Sequence, residues 1–187
     1  MKNQMIIVVG PSGAGKSSFV DKVIQDISVL KDTVTYTTRP MRKGESEGNP
    51  YHFVDVDTFK KHIQDDFFIE WAQVHENFYG TPYYQIEEAW NEGRVIIMDV
   101  DIQGAETFKA KFPQALTIFI KPPNLDALRQ RLAKRDQGKT HNFDIRLKNA
   151  QKEMDKASEF DHQIINDDFA KSYAEFKKKI EDFLNTH

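Results

Sequence analysis

Residues 10–18 read Gly10-Pro11-Ser12-Gly13-Ala14-Gly15-Lys16-Ser17-Ser18. The spacing G-x-x-x-x-G-K-S is that of a loop whose backbone N–H groups wrap a chain of phosphates. Its surroundings fit. Met5-Ile6-Ile7-Val8-Val9 is a short, β-branched apolar run that reads as a buried strand. After the loop, Phe19, Val23 and Ile27, with Val20 and Ile24 beside them, recur at helical spacing. A strand, a glycine turn and a helix start together make an anion site, because loop N–H groups and the helix dipole both present positive charge. A turn that matched by chance would lack that context. Lys16 is placed to reach the β- and γ-phosphates, and the Ser17 hydroxyl to ligate magnesium. The whole stretch, Gly10, Pro11, Ser12, Gly13, Ala14, Gly15, Lys16, Ser17 and Ser18, is the candidate nucleoside triphosphate site. It is silent about what accepts the phosphoryl group.

The rest of the chain sets bounds. Its 187 residues suit one α/β domain with a sizeable core and room for inserted lobes. With 39% hydrophobic and 29% charged residues it has the balance of a soluble globular enzyme. A net charge of −3 gives no support to bulk nucleic-acid binding, so no nucleic-acid partner is expected. The absence of cysteine excludes disulfides, thiolate metal sites and cysteine nucleophiles. The apolar run before Gly10 is too short for a signal peptide, and no stretch approaches transmembrane length. The expectation is a cytoplasmic protein with no membrane partner.

Thr33 to Thr38 is a β-branched run that predicts a strand, ending in Arg39-Pro40-Met41-Arg42-Lys43-Gly44. Two arginines on a turn either form a solvated basic loop or aim two guanidinium forks at one small anion. Tyr51 to Val54 predicts a short strand. Asp55 or Asp57 then caps a helix across roughly 58–64. Residues 67–75 predict another strand, with Glu70 in an aromatic, apolar stretch, on a solvent-facing edge or lining a pocket. Glu76-Asn77 reads as a tight turn, and Thr81 or Pro82 starts a helix to about Asn91. Residues 35–90 are thus a lobe inserted into a parallel-sheet core. Arg39, Arg42, Tyr51 and Tyr79 could surround a monophosphate. Glu70 could accept from the adjacent N1–H and N2–H₂ donors of guanine, whereas adenine presents an acceptor there. Thr35 and Thr81 could offer hydroxyls to guanine O6 or N7.

Residues 94–99 predict a core strand ending in Asp99, either a helix cap or an acid supporting a magnesium shell through water. A helix from Gly104 to about Lys111, a strand over 116–120 and a helix from about Leu125 to Arg135 capped by Asn124 follow. The polar stretch 136–142 and a helix over 143–158 complete a helix–loop–helix that suits a lid over the triphosphate. Arg131, Lys134 and Lys148 read as a solvated face. A last short strand over 163–166 leads to a helix with Tyr173, Phe176, Ile180 and Phe183 inward and Asp168 as a possible cap. The six histidines have no metal-ligand spacing.

The chain resembles the guanylate kinase family. The stretches that carry the resemblance are residues 10–18, Thr37-Thr38-Arg39-Pro40-Met41-Arg42-Lys43-Gly44-Glu45, Tyr51-His52-Phe53-Val54, Glu70-Trp71-Ala72, Val74-His75, Tyr79-Gly80-Thr81-Pro82 and Asp99-Val100-Asp101-Ile102-Gln103-Gly104. They run in family order over most of the chain. The resemblance implies an α/β fold: a P-loop parallel sheet flanked by helices, with a small mixed GMP-binding lobe and a helical lid. The core would be 1–34, 91–125 and 160–187, the lobe 35–90 and the lid region 126–159. It implies direct in-line transfer, ATP + GMP = ADP + GDP, in purine nucleotide metabolism, with Mg2+ as cofactor and ATP and GMP as small-molecule partners. A monomer or a homo-oligomer is expected. Arg39, Arg42, Tyr51 and Tyr79 would hold the GMP phosphate, and Thr35, Glu70, Thr81 and Asp101 the guanine. Lys16, Arg39, Arg135 and Arg146 would be catalytic, Asn166 would lie near the base of ATP, and Ser17 and Asp99 would serve the metal. At Thr35 the family often has serine. After Arg135 this chain has Asp136-Gln137-Gly138 where the family usually has a Gly-Thr-Asp-like run. Two other readings compete. A non-catalytic scaffold module of the same fold is disfavoured by the intact Gly15-Lys16-Ser17. A P-loop kinase for another acceptor is disfavoured by Glu70, Thr81 and Asp101.

Overall fold

The strand before the glycine loop is the centre of the molecule. In the computed structural model, which describes residues 4–74, 76–135 and 143–186, Met5–Val9 forms β1 and all of it is buried. Parallel strands Val95–Asp99 (β8) and Leu116–Lys121 (β9) flank it. Leu30–Lys31 (β2) and His162–Ile165 (β10) close the edges, giving the order β10-β9-β1-β8-β2. Side chains alternate across a strand, so β1 feeds two layers. Ile6 and Val8 pack with Phe19, Val20 and Val23 of α1 (Lys16–Asp26) and with Tyr173, Phe176 and Ile180 of α7 (Phe169–Thr186). Met5, Ile7 and Val9 pack with Ile86 and Ala89 of α3 (Tyr83–Asn91) and with Ala105 and Phe108 of α4 (Ile102–Lys111). The sheet is thus covered on both faces, as continuous apolar strands require.

A second, mixed five-stranded sheet carries Thr35–Thr37 (β3), Ser46–Glu47 (β4), Pro50–Phe53 (β5), Phe68–Val74 (β6) and Asn77–Pro82 (β7), in the order β4-β5-β3-β7-β6. Helix α2 (Val56–Gln64) is capped by Asp55, whose carboxylate accepts from Thr58 N at 2.7 Å. Its Phe59 stacks between Phe68 and Phe78 beneath the sheet. Gly80 lets this packing close, since a Cβ there would come within 2.9 Å of the Phe68 ring.

The structure departs from the sequence reading where backbone partners come from afar. The strand expected over 33–38 is confined to β3. Val34 N and O are instead bonded by the Gln85 side chain of α3, at 2.7 and 3.3 Å, so the run breaks between the two sheets. Strands β2 and β7 were not anticipated. Helix α6 (Phe143–Asp155) stops short of the expected end at 158 and passes into a 3₁₀ turn, Ala157–Glu159. Helix α5 runs Leu125–Arg135 as expected, with Asn124 Oδ1 accepting from Ala127 N at 2.8 Å. Asp168 caps α7, accepting from Lys171 N at 3.0 Å.

Candidate active site

The loop at 10–15 turns out of β1 over the C-terminal edge of the parallel sheet, where such folds leave a crevice. Gly10 has φ 143° and a Cβ on it would overlap the Ile120 carbonyl oxygen of β9. Gly15, at φ 100°, ends the turn and abuts the Asn166 amide. From the other side Leu128 and Leu132 of α5 press on Gly13. Lys16 Nζ donates to Gly10 O at 2.7 Å and reaches Pro11 O at 3.4 Å, curled over its own loop.

Ser17 lies in the first turn of α1, and its hydroxyl donates to Asp99 Oδ2 at the end of β8, 3.1 Å away. Asp21 and Asp32 face the same acid. The Asp21 carboxyl is raised by partial desolvation and then by Asp99. Asp32 is raised well above the carboxylate range by desolvation in the cleft, and then by Asp99 and Asp21. As a residue Asp32 stays exposed, so mutual repulsion is the firmer of its two causes. A hydroxyl and a carboxylate under this crowding are hard oxygen donors that fit a divalent ion completing its shell with phosphate and water.

Two sequence expectations for the donor side are refined. Arg131 is not a solvated side chain. Its guanidinium donates to Asn166 O at 2.7 Å and Ala14 O at 3.4 Å, while Lys134 and Lys148 are exposed as expected. The missed signal was Leu128 and Leu132: the stripe that packs on the loop brings the adjoining Arg131 to the carbonyls of Ala14 in the loop and of Asn166 beside it. The Asn166 side chain is buried and donates to Ala14 O at 2.7 Å, bracing the loop. From α6 (Phe143–Asp155), Arg146 reaches Ser12 Oγ at 3.3 Å. The Arg135 side chain, residues 136–142 and His75 lie outside the described residues.

On the second sheet the arginine turn is built around a buried cation. Arg39 is 8% exposed. Its guanidinium donates to Glu45 Oε1 and Pro40 O, both at 2.8 Å, and lies over the rings of Tyr51 and Phe53. Burial opposes its charge, and the Glu45 carboxylate more than offsets that. Glu45 Oε2 accepts from the Arg42 backbone N–H at 2.7 Å, leaving the Arg42 side chain exposed beside it. The carboxylate of Glu45 therefore sets the shape of the turn, a role the sequence reading did not assign. The Tyr51 and Tyr79 rings meet edge to face at 5.9 Å next to Arg39. Thr35 pairs with Tyr51 across β3 and β5.

Glu70 and Thr81 are cross-strand partners on β6 and β7, with Thr81 Oγ1 donating to Glu70 Oε1 at 3.3 Å. Both are buried, Glu70 at 7% exposure. Desolvation, and then the charge of Asp101, raise the Glu70 carboxyl to about 7 against the weaker pull of Thr81 and Lys111. Asp101 is the N-cap of α4, accepting from Gly104 N at 2.8 Å. A Cβ on Gly104 would lie 3.3 Å from both Asp101 Oδ1 and Glu70 Oε2, so glycine is what lets the two carboxylates converge. Glu153 of α6 extends toward Lys16 and Asp101 and was also not anticipated. Its carboxyl is raised by burial, with Lys16 opposing and Asp101 adding.

The family model described as guanylate kinase matches residues 2–183. The chain belongs to the guanylate kinase family. A guanylate kinase of Bdellovibrio bacteriovorus is 55% identical over 184 residues, covering 98% of this chain and 100% of that one. One from Legionella pneumophila is 42% identical over 94% of this chain and 84% of its own. Among solved structures, guanylate kinase from Anaplasma phagocytophilum superposes with a TM-score of 0.77 at 30% identity, covering 98% of this chain and 85% of that one. The P-loop sheet with a mixed second sheet is thus the guanylate kinase architecture. No helix among the described residues is long and apolar enough to cross a membrane.

Proposed function

We propose that the chain transfers the terminal phosphoryl group of ATP to GMP, giving ADP and GDP. The observation that carries this is the buried Glu70, backed by Thr81 and facing Asp101, in the lobe that also carries the turn with Arg39 and Arg42. An acceptor-only carboxylate in that position suits the paired N–H donors of guanine and opposes adenine. In this reading the core (1–34, 91–125, 160–187) holds ATP, the lobe at 35–90 holds GMP and the region 126–159 is the lid.

Lys16 leaves the loop carbonyls and neutralises the β- and γ-phosphates, and the amides of residues 10–18 wrap them. Asn166 and Arg131 hold this loop in place on the adenine side. Arg39 and Arg42, with the hydroxyls of Tyr51 and Tyr79, fix the GMP phosphate. Thr35, Glu70, Thr81 and Asp101 hold the base. One GMP phosphate oxygen then attacks the γ-phosphorus in line as the bond to the β-phosphate oxygen breaks. The attacking oxygen is already anionic, so no strong base is required, and positioning with charge neutralisation supplies the catalysis. Arg146 and Arg135 close from the lid over the developing charge. Ser17 and Asp99 would hold Mg2+, Asp99 through water; the ion supplies charge neutralisation across the phosphates. The same reading places the protein in the cytoplasm, in purine nucleotide metabolism.

A coupled assay with ATP, magnesium and each of GMP, AMP, CMP and UMP tests the proposal. ADP release is expected with GMP and at least about a thousandfold less with AMP, the scale on which unpaired buried polar groups discriminate. Comparable turnover of AMP would overturn the base assignment.

A further inference from the structure

The pairing of β6 with β7 is not regular. Phe68 faces Pro82 and Glu70 faces Thr81, so Ile69 is an extra residue between them. Such a bulge redirects the side chain that follows it, and here that side chain is Glu70. The Ile69 side chain is buried in the core layer with α3 and α4, and the Ile69 carbonyl accepts a hydrogen bond from Lys111 Nζ. Lys111 is the last residue of α4, the helix whose N-cap is Asp101 and whose third residue, Gly104, lies against Glu70. One helix therefore touches the Glu70 segment at both ends. Lys111 and Asp101, both from α4 or its cap, are the charged groups that face Glu70, and Thr81 of β7 adds a hydroxyl.

We propose that Lys111 is a positioning residue for base recognition: by holding the carbonyl of the bulged Ile69, it fixes the direction in which Glu70 enters the acceptor pocket. The inference rests on Glu70 reading the base. Lys111 does not touch substrate in this arrangement. It ties the lobe to the core at the point where the base is read, so its removal weakens the aim of Glu70 while the triphosphate loop is untouched.

The test compares the parent with Lys111→Met and Lys111→Arg, using GMP and IMP, a purine monophosphate without the 2-amino group. Lys111→Met is expected to raise the GMP KM about tenfold, the scale of one lost charge-assisted bond. Its ATP KM and kcat should stay within about twofold. Preference for GMP over IMP should shrink at least about threefold, because the 2-amino contact depends on the angle of the carboxylate. Lys111→Arg should restore both values. If Lys111→Met does not fold, as judged by thermal melting, the same comparison is read on Lys111→Gln. An unchanged GMP KM and GMP/IMP preference, or an equal rise in the ATP KM, overturns the inference. A parallel Glu70→Gln arm separates the failures. A normal GMP KM in Glu70→Gln sinks the base reading itself, whereas a raised one with a normal Lys111→Met sinks only the role of Lys111.

Discussion

With Glu70 in the proposed role of base acceptor, its ionisation is expected to make GMP binding sensitive to pH. The carboxyl must be ionised to accept two N–H donors, yet burial and Asp101 raise it to about 7 in the free protein. Below that value a proton must leave before the base can bind. Between pH 8 and pH 6 the ionised share falls from about nine-tenths to about one-tenth, so GMP affinity should drop about tenfold, or about 1.4 kcal/mol. The GMP phosphate also titrates, with a second ionisation near 6, and adds about a further twofold. Glu70→Gln removes the first effect and keeps the second. Calorimetric titration of GMP, without ATP, at pH 6, 7 and 8 is the measurement. The expected result is a steep affinity profile for the parent and a shallow one for Glu70→Gln, with about one proton more released per GMP bound by the parent than by Glu70→Gln at pH 6. Parallel profiles for the two proteins would refute the reasoning.

The same shift has a signature in the free protein. The native state holds the Glu70 proton more tightly than the unfolded chain, so the stabilising contribution is present below the ordinary glutamate range. It is lost as pH rises through about 7. At pH 8 the ionised, buried group costs about 3 kcal/mol relative to an unfolded reference. Denaturant titrations should therefore show Glu70→Gln gaining on the parent from pH 5 to pH 8.

Other perturbations separate the two halves of the site. Lys16→Ala should lower kcat at least about a hundredfold, as loss of a preorganised phosphate clamp does, with GMP affinity unchanged by calorimetry. Arg131→Ala should raise the ATP KM about tenfold, through the Ala14 and Asn166 carbonyls it holds rather than through GMP, in steady-state kinetics with each substrate varied. Gly104→Ala should raise the GMP KM several-fold, because its Cβ would press on both Asp101 and Glu70. An unchanged GMP KM there would show that the pocket relaxes without cost.

What was legible in the sequence was whatever is encoded locally. The P-loop, its strand and its helix are contiguous, so residues 5–27 declared themselves. The caps at Asp55, Asn124 and Asp168 were readable because a cap acts three residues away. The strand β2 was not readable, since it is two residues long and exists through pairing with β8. The break at Thr33-Val34 depends on Gln85, far along the chain. The same distinction runs through the site. Residue types named Arg39, Glu70 and Lys16, but Lys111 and Arg131 meet Ile69, Ala14 and Asn166 across folds of the chain, and Glu45, only six residues from Arg39, takes its part from the conformation of the turn. A basic residue beside an apolar helical stripe looks solvated until the target of the stripe is known, and for Arg131 that target was the loop itself.

The junction of β8 with α4 explains how donor and acceptor are kept in register. Asp99 and Asp101 are separated by one residue, and Val100 N still bonds Val8 O as an extension of the sheet at 3.1 Å. Residues two apart in extended chain share a face, about 7 Å from each other. On that face Asp99 takes the Ser17 hydroxyl and Asp101 looks toward Glu70. The separation between Asp99 and Asp101, the acids proposed for the metal side and the base side, is thus set by covalent backbone pinned to the central strand. It does not depend on how far the lobe or the lid has closed. Closure then has to bring Glu70, Thr81 and the arginine turn from the lobe, and Arg146 from the lid, onto the two acids already fixed on the core. In the proposed roles the core thus keeps the triphosphate side and one base contact, Asp101, fixed, while the lobe carries the other base contacts, Thr35, Glu70 and Thr81, together with the arginines for the GMP phosphate.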